Sequence, residues 1–477
     1  MRAASQAWLL TSLLASVGLT GCMIGPNYKR PSAPTAPAFK EVAGWQPAQP
    51  ADSQIRSNWW KAYHDPDLDA YEAQVDVSNQ NLKLAVTEFT QARATIQINR
   101  ANLFPFLGAG VGVMRQRFSY NSATYFPGVS NQYNSFNLPL EVSWEPDFWG
   151  RVRRSVAQAK ANAQASAADV QNVRLSLQAE LATDYFQLRG LDAQKQILDR
   201  TVTAFQKSMQ LTQNRYQGGL NSQLDVAQAR TLLETTQAED QDVGVARAQY
   251  EHAIAVLVGQ PASSFTIAPR VLATEPPPIP VGLPSQLLER RPDIASAERA
   301  MAAANEQIGI ARTAYYPTFA LTGLGGFESG HPGNWFTGPS SFWSAGLSAS
   351  DTLVDWGQRH AVDVQAQAAY DGTVAAYRQT VLTAYQEVED NLAALRILRD
   401  ESATQREAVV AAQKQQEIAT SRYKGGIDNY LNVITAQSIE LSNEQTAAQI
   451  WTRQMTASVL LIEALGGGWD EKQLPKF

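Results

Sequence analysis

Between residues 170 and 209 the chain sets apolar side chains three and four positions apart: Val170, Val173, Leu177, Leu181, Tyr185, Leu188, Leu191, then Leu198, Val202, Phe205 and Met209. That spacing is the stripe of a helix packed against other helices, coiled-coil fashion. Trp149-Gly150 precedes it and Gly218-Gly219 follows, so it predicts a helix over 150–217 ended by a left-handed glycine cap. At 1.5 Å per residue such a helix is roughly 100 Å long, beyond the needs of an ordinary globular domain. A return helix is predicted over 221–258.

A second pattern has period two. Phe136, Leu138, Leu140, Val142 and Trp144 alternate with Asn137, Pro139, Glu141, Ser143 and Glu145. Trp343, Ala345, Leu347 and Ala349 alternate with Ser344, Gly346, Ser348 and Ser350, and weaker versions lie at 106–118 and 319–327. Each segment is near the length a β-strand needs to cross a bilayer with one face in lipid. A half-buried soluble sheet alternates in the same way, and the N-terminal signal described below favours the bilayer. Four strands cannot close a barrel, and open edges in lipid leave backbone groups unpaired. The pattern therefore predicts assembly of several copies, in a number it does not fix.

Both patterns occur twice. Trp149-Gly150 recurs as Trp356-Gly357, Arg215-Tyr216-Gln217-Gly218-Gly219 as Arg422-Tyr423-Lys424-Gly425-Gly426, and Gly259 as Gly466, all at one offset. Phe104-Pro105 matches Tyr316-Pro317 at an offset five residues longer. Each unit reads as a helix (66–103, then 285–314), a proline stop, a β-hairpin (about 106–146, then 318–353), a long helix (150–217, then 357–424) and a return helix (221–258, then 428–465). The boundaries expected are a signal over 1–21, an extended tether over 22–58, repeat one over 59–265 and repeat two over 266–477. The fold class is an α+β membrane protein, internally duplicated: a long antiparallel α-helical coiled-coil barrel joined to a transmembrane β-barrel with four strands per protomer.

The N-terminus changes the picture most. Arg2 and the apolar run 7–19 form an export signal too short to span a membrane, ending in Leu19-Thr20-Gly21-Cys22. Cys22 is the only cysteine and sits where bacterial lipoproteins acylate theirs, so a covalent lipid on Cys22 is expected. No other cofactor is expected. Residues 23–58 are rich in Pro, Ala and Ser, as in an extended tether. Charged residues make up 18% of the chain, and 39 basic against 45 acidic residues give a net −6, which leaves no footprint for nucleic acid. With one cysteine and scattered His64, His252, His331 and His360, no metal site is expected. No nucleophile elbow, catalytic carboxylate pair or phosphate loop is present, so the chain is not expected to be an enzyme.

LTGCMIGPNYKRP at 19–31, LLERRPDIASAE at 287–298, the paired Trp-Gly positions and the RYQGG and RYKGG turns resemble the TolC family of outer-membrane efflux proteins, in its lipoprotein branch. The resemblance covers essentially the whole chain. It implies closure of the barrel by a homotrimer lodged in outer-membrane lipid, with a periplasmic helical tunnel. It also implies contact with a periplasmic adaptor (membrane fusion) protein and an inner-membrane pump, expected to be proton-driven. By the same resemblance Tyr423 holds a gate shut and Leu431 forms an apolar constriction. The positions that are usually acidic in the gate are Asn432 and Thr435 here, a departure from the family pattern. The turn residues Arg215, Tyr216, Gly218, Gly219, Arg422, Gly425 and Gly426 are candidate adaptor contacts. The function implied is the passive exit duct of a small-molecule efflux pump. A duct for a type I protein secretion system and a coiled-coil scaffold lipoprotein without a pore are the alternatives.

Overall fold

The computed structural model describes residues 23–41, 58–121, 123, 128, 130–279 and 286–477. Cys22, the export signal and part of the tether lie outside the described residues. Helices α1 (Pro66–Ser78) and α2 (Gln80–Ala101) lead into strands β1 (Phe106–Ala109), β2 (Gly112–Arg117) and β3 (Gln132–Trp144). Helices α3 (Arg151–Gln217) and α4 (Gln223–Leu257) form the first helical hairpin. After a single turn at Leu287–Arg290 come α5 (Pro292–Thr313), β4 (Thr318–Ser329), β5 (Ser341–Ser350), α6 (Gln358–Lys424) and α7 (Tyr430–Ala464). The two long helices have 67 residues each, roughly 100 Å at 1.5 Å per residue.

Three expected elements are interrupted. The helix expected over 66–103 breaks at Asn79, whose buried side chain accepts from the Leu82 amide at 3.0 Å and donates to the Leu257 carbonyl at 2.9 Å. It caps a new helix instead of continuing the old one. The helix expected over 285–314 breaks at Arg291, because Pro292 pushes the residue before it out of the helical region. The first strand divides at Gly110, opposite Pro139 of β3, which has no N–H to give the ladder. Register is unchanged across that gap: Ala109 pairs with Leu140 and Gly112 with Asn137. The sheet order is β1 and β2 on β3, then β4, then β5, all antiparallel, which makes four strand positions with two open edges.

The core is a belt around the middle of α3. Tyr185, Phe186 and Leu188 pack with Trp59, Trp60, Tyr63, Ile267, Met455 and Leu461. Charges buried there are paired: Asp65 takes Tyr185 Oη at 2.7 Å and Arg270 at 2.6 Å, while Arg189 holds Asp192 at 3.0 Å. Glu72 differs. Burial, with Asp76 and Asp69 near, holds its carboxyl well above the usual range, and neither oxygen has a partner. Burial there disfavours the charged form of the carboxyl.

The stretch 23–41, expected as a loose tether, has no helix or strand but binds along the helices. Arg154, buried at the start of α3, donates to the carbonyls of Ile24 (2.8 Å), Gly25 (3.1 Å) and Pro26 (3.1 Å) and pairs with Glu306 at 2.7 Å. Gly309 leaves room for that guanidinium, since a Cβ there would lie 2.4 Å from it. Farther on, Tyr28 donates to Glu298, and Phe39 joins the belt. A proline-rich composition correctly excludes regular structure, but says nothing about where carbonyls find donors. No helix among the described residues is long and apolar enough to cross a membrane.

Candidate gate at the helical tips

Each hairpin turns on its second glycine. Gly219 (φ +72) and Gly426 (φ +73) occupy the left-handed region, while Gly218 and Gly425 stay at negative φ. Leu220 N donates back to Arg215 O at 2.8 Å, and Ile427 N to Arg422 O at 3.0 Å, closing the same backward loop in both copies. The return helices are capped next. Ser222 and Asp225 form a reciprocal box (3.2 and 2.9 Å), and Asn429 accepts from the Asn432 amide at 3.2 Å.

The tips are alike in backbone and unlike in side-chain contacts. Tyr423 is buried (4% exposed) against Ala229, Tyr430 and Val433. Its hydroxyl accepts from Asn221 Nδ2 at 2.6 Å, its carbonyl accepts from Arg215 Nη1 at 3.2 Å, and the Arg215 guanidinium lies 4.6 Å from its ring centroid. The second tip is thus fastened to the first by three contacts on one tyrosine. Tyr216, at the matching position of the first tip, is exposed. Arg215 therefore joins the two tips, with its guanidinium turned onto Tyr423. Arg422, Gly218, Gly219, Gly425 and Gly426 sit at the exposed extremity.

Leu431 is 53% exposed on the first turn of α7, beside Asn432. Thr435 is exposed and returns its hydroxyl to the Leu431 carbonyl at 2.9 Å. The acidic group of this tip is Asp428, overlooked in the sequence. It pairs with Arg422 at 3.2 Å and accepts from Asn432, and the Asn432 and Arg422 hydrogen bonds hold its carboxyl below the usual range. Its charge is largely answered by Arg422. Asn221 and Leu224 were also missed, although Leu224 precedes Leu431 by the repeat offset and is likewise exposed. That offset was the signal that could have found it.

At the opposite end of the long helices, Gly150 (φ +80) and Gly357 (φ +90) join strand to helix. Trp149 Nε1 donates to Pro317 O at 2.7 Å, and its ring lies 4.9 Å from that of Tyr316. Ile24 N donates to Trp149 O at 3.1 Å, and a Cβ on Gly150 would lie 2.9 Å from Met23. The described chain therefore starts at the boundary between sheet and helices.

With this geometry in hand, comparisons with known proteins agree. The model of the family described as "Outer membrane efflux protein" matches residues 73–260 and 283–467. The probable efflux pump outer membrane protein TtgC of Pseudomonas putida is 33% identical over 468 residues, covering 97% of this chain and 96% of that protein. The outer membrane protein OprJ of Pseudomonas aeruginosa is 32% identical, covering 98% and 97%. Among solved structures, the outer-membrane channel OprN superposes with a TM-score of 0.86 at 30% identity, covering 94% of this chain and all of that one. The Campylobacter jejuni CmeC outer membrane channel gives 0.89 at 25% identity, covering 95% and 96%. The chain belongs to the outer membrane efflux protein family.

Proposed function

We propose that this family member is the outer-membrane exit duct of a tripartite efflux pump, passing small molecules from periplasm to exterior without performing chemistry. The observation that carries the reading is the join of two structures at Gly150 and Gly357. A four-stranded antiparallel sheet with open edges sits on one side, and paired helices roughly 100 Å long sit on the other. The sheet is usable in a bilayer only when its edges are closed by further copies, and a homotrimer with twelve strands satisfies that need. The helices then extend a tunnel into the periplasm, where the Tyr423 latch narrows the mouth. The tips are the parts within reach of a periplasmic adaptor, and through it of an inner-membrane pump that supplies the energy, a proton-driven one in this reading.

Cys22 takes lipid in this proposal. Met23 packs at the sheet–helix boundary, so acyl chains on the preceding residue would enter the inner leaflet beside the barrel. Cys22→Ser is expected to abolish acyl labelling while the barrel keeps the protein in the membrane. Acyl label persisting in that variant rules Cys22 out.

The test of function is accumulation in cells. Loss of the gene should raise intracellular levels of a fluorescent efflux dye, and the intact gene should restore them. Unchanged dye levels together with loss of a secreted protein would favour the secretion duct instead.

A further inference from the structure

Strand register sorts the sheet into two faces. The pairs Leu107–Val142, Leu138–Phe327 and Val113–Phe136 lie on one face, which is apolar. The opposite face carries Glu141 and the pair Asn137–Glu328. The apolar face starts at Trp144, beside the long helices, and runs away from them. Trp144 and Phe136 are eight residues apart, roughly 26 Å along a strand at about 3.3 Å per residue. At the tilt of barrel strands that is roughly 20 Å of height, close to the apolar band of about 25 Å in such barrels.

That band ordinarily ends in a girdle of aromatic rings. Here Trp335 stacks on Phe336 at 4.9 Å, and the two rings lie 5.5 Å from Phe136 and 5.8 Å from Phe327. The end of the face away from the helices is therefore marked twice, by length and by aromatic rings.

Just past this girdle the same face becomes cationic. Arg115 pairs with Asn134 and Arg117 with Gln132, in step with Val113 and Phe136. Both arginines are exposed. Between Arg100 and Glu141 the sequence has no other charged residue. Neither arginine is in an ion pair among the described residues, and the Arg117 guanidinium lies 5.7 Å from the Tyr120 ring centroid. The helix end of the sheet differs: Arg151 and Arg153 are answered there by Glu145 at 2.8 Å and Asp147 at 3.1 Å.

We propose that Arg115 and Arg117 bind the phosphate groups of a phosphorylated glycolipid in the outer leaflet of the outer membrane, whose acyl chains lie along Val113 and Phe136. This rests on the duct reading, which turns the apolar face to lipid and puts the helices in the periplasm. A guanidinium grips a phosphate through two parallel N–H···O bonds, and both of these are free of carboxylates. The exposed Val113 directly below supplies an apolar wall, so the site fits an amphiphile better than a soluble anion. An inner-leaflet phospholipid meets only the opposite end, where the arginines are already paired.

The test uses the full chain in detergent, with fluorescent bis-phosphorylated lipid A, the same lipid stripped of phosphate, and phosphatidylglycerol as competitor. Removing the phosphates should weaken binding to the unaltered protein about tenfold or more, as the loss of charge-assisted contacts implies. Arg115→Gln with Arg117→Gln should show the same loss for intact lipid A and should no longer distinguish the two forms. Arg115→Lys with Arg117→Lys should keep most of the affinity. Equal affinity of the unaltered protein for both forms overturns the proposal without recourse to a variant. Undiminished binding by the double Gln variant overturns it too, as does displacement of lipid A by an equal concentration of phosphatidylglycerol, the mark of a general anionic-lipid patch. Conductance of the same preparations separates this site from the reading beneath it. Channels that conduct while binding ignores phosphate remove the glycolipid site alone. An assembled protein that conducts nothing removes the duct and, with it, the orientation of the face.

Discussion

Tyr216 and Tyr423 hold the same position in the two halves, yet one is exposed and the other is buried under an arginine. Trp149 and Trp356 differ the other way round, with Trp149 half-buried and Trp356 exposed. Gly190 lies tight against a threonine, whereas its counterpart Ile397 is exposed. Arg154 is sealed among backbone carbonyls, and its counterpart is Ala361. In a chain duplicated this closely, environment follows the neighbours a residue has, and only the junction between the halves has both sides present in one protomer. Each of these four contrasts lies at that junction.

The comparison can be broken most severely at Arg154. Arg154→Met strands half-buried Glu306 and three carbonyls and should cost about 3–5 kcal/mol, read as a lower thermal midpoint and early proteolysis of segment 23–41. Ala361→Met should be nearly silent in the same assay. Next comes Gly190→Ile, which forces a side chain into Thr452 and should cost about 3 kcal/mol. Ile397→Gly should cost only about 1 kcal/mol through helix propensity. Thermal unfolding of the protomer in detergent compares the two. Tyr423→Phe removes the Asn221 hydrogen bond, worth about 1 kcal/mol, and should raise the frequency of channel opening, while Tyr216→Phe leaves it unchanged.

The mildest contrast is in pH. Asp184 is pushed up to about 6 by burial and by nearby Glu180, and its counterpart is the neutral Asn391. The folded state then holds a proton that the unfolded state releases earlier, so this site lowers stability as pH rises from about 3.8 through about 6. Asp184→Asn should flatten that part of a pH–stability curve. A curve of unchanged slope would show that Asp184 does not carry the effect.

Much of this architecture was legible in the sequence, because a long helix needs only its stripe and its glycine stops. The stripe Val170–Met209 and the turns at Gly219 and Gly426 set α3 and α6 to within a residue of expectation. The breaks were less legible. Asn79 ends a helix only because the Leu257 carbonyl, far away in sequence, accepts its amide. Pro292 did carry a local signal, because a proline disfavours the helical region for the residue before it. At the tips, the sequence singled out Tyr423 but not its contacts with Asn221, nor Asp428 beside it. Their roles come from reaching another residue across a turn, which periodicity does not record. The segment 23–41 was legible as extended, and its binding to Arg154 was not.

In the proposed assembly, closing the open sheet edges makes a conducting duct whose mouth is held by Tyr423. Single-channel recording in a planar bilayer tests it most directly, comparing the purified assembled protein with Tyr423→Ala. The account predicts discrete conducting steps in both, with more frequent or larger openings in the variant. An assembled protein that passes no current in either form would contradict it.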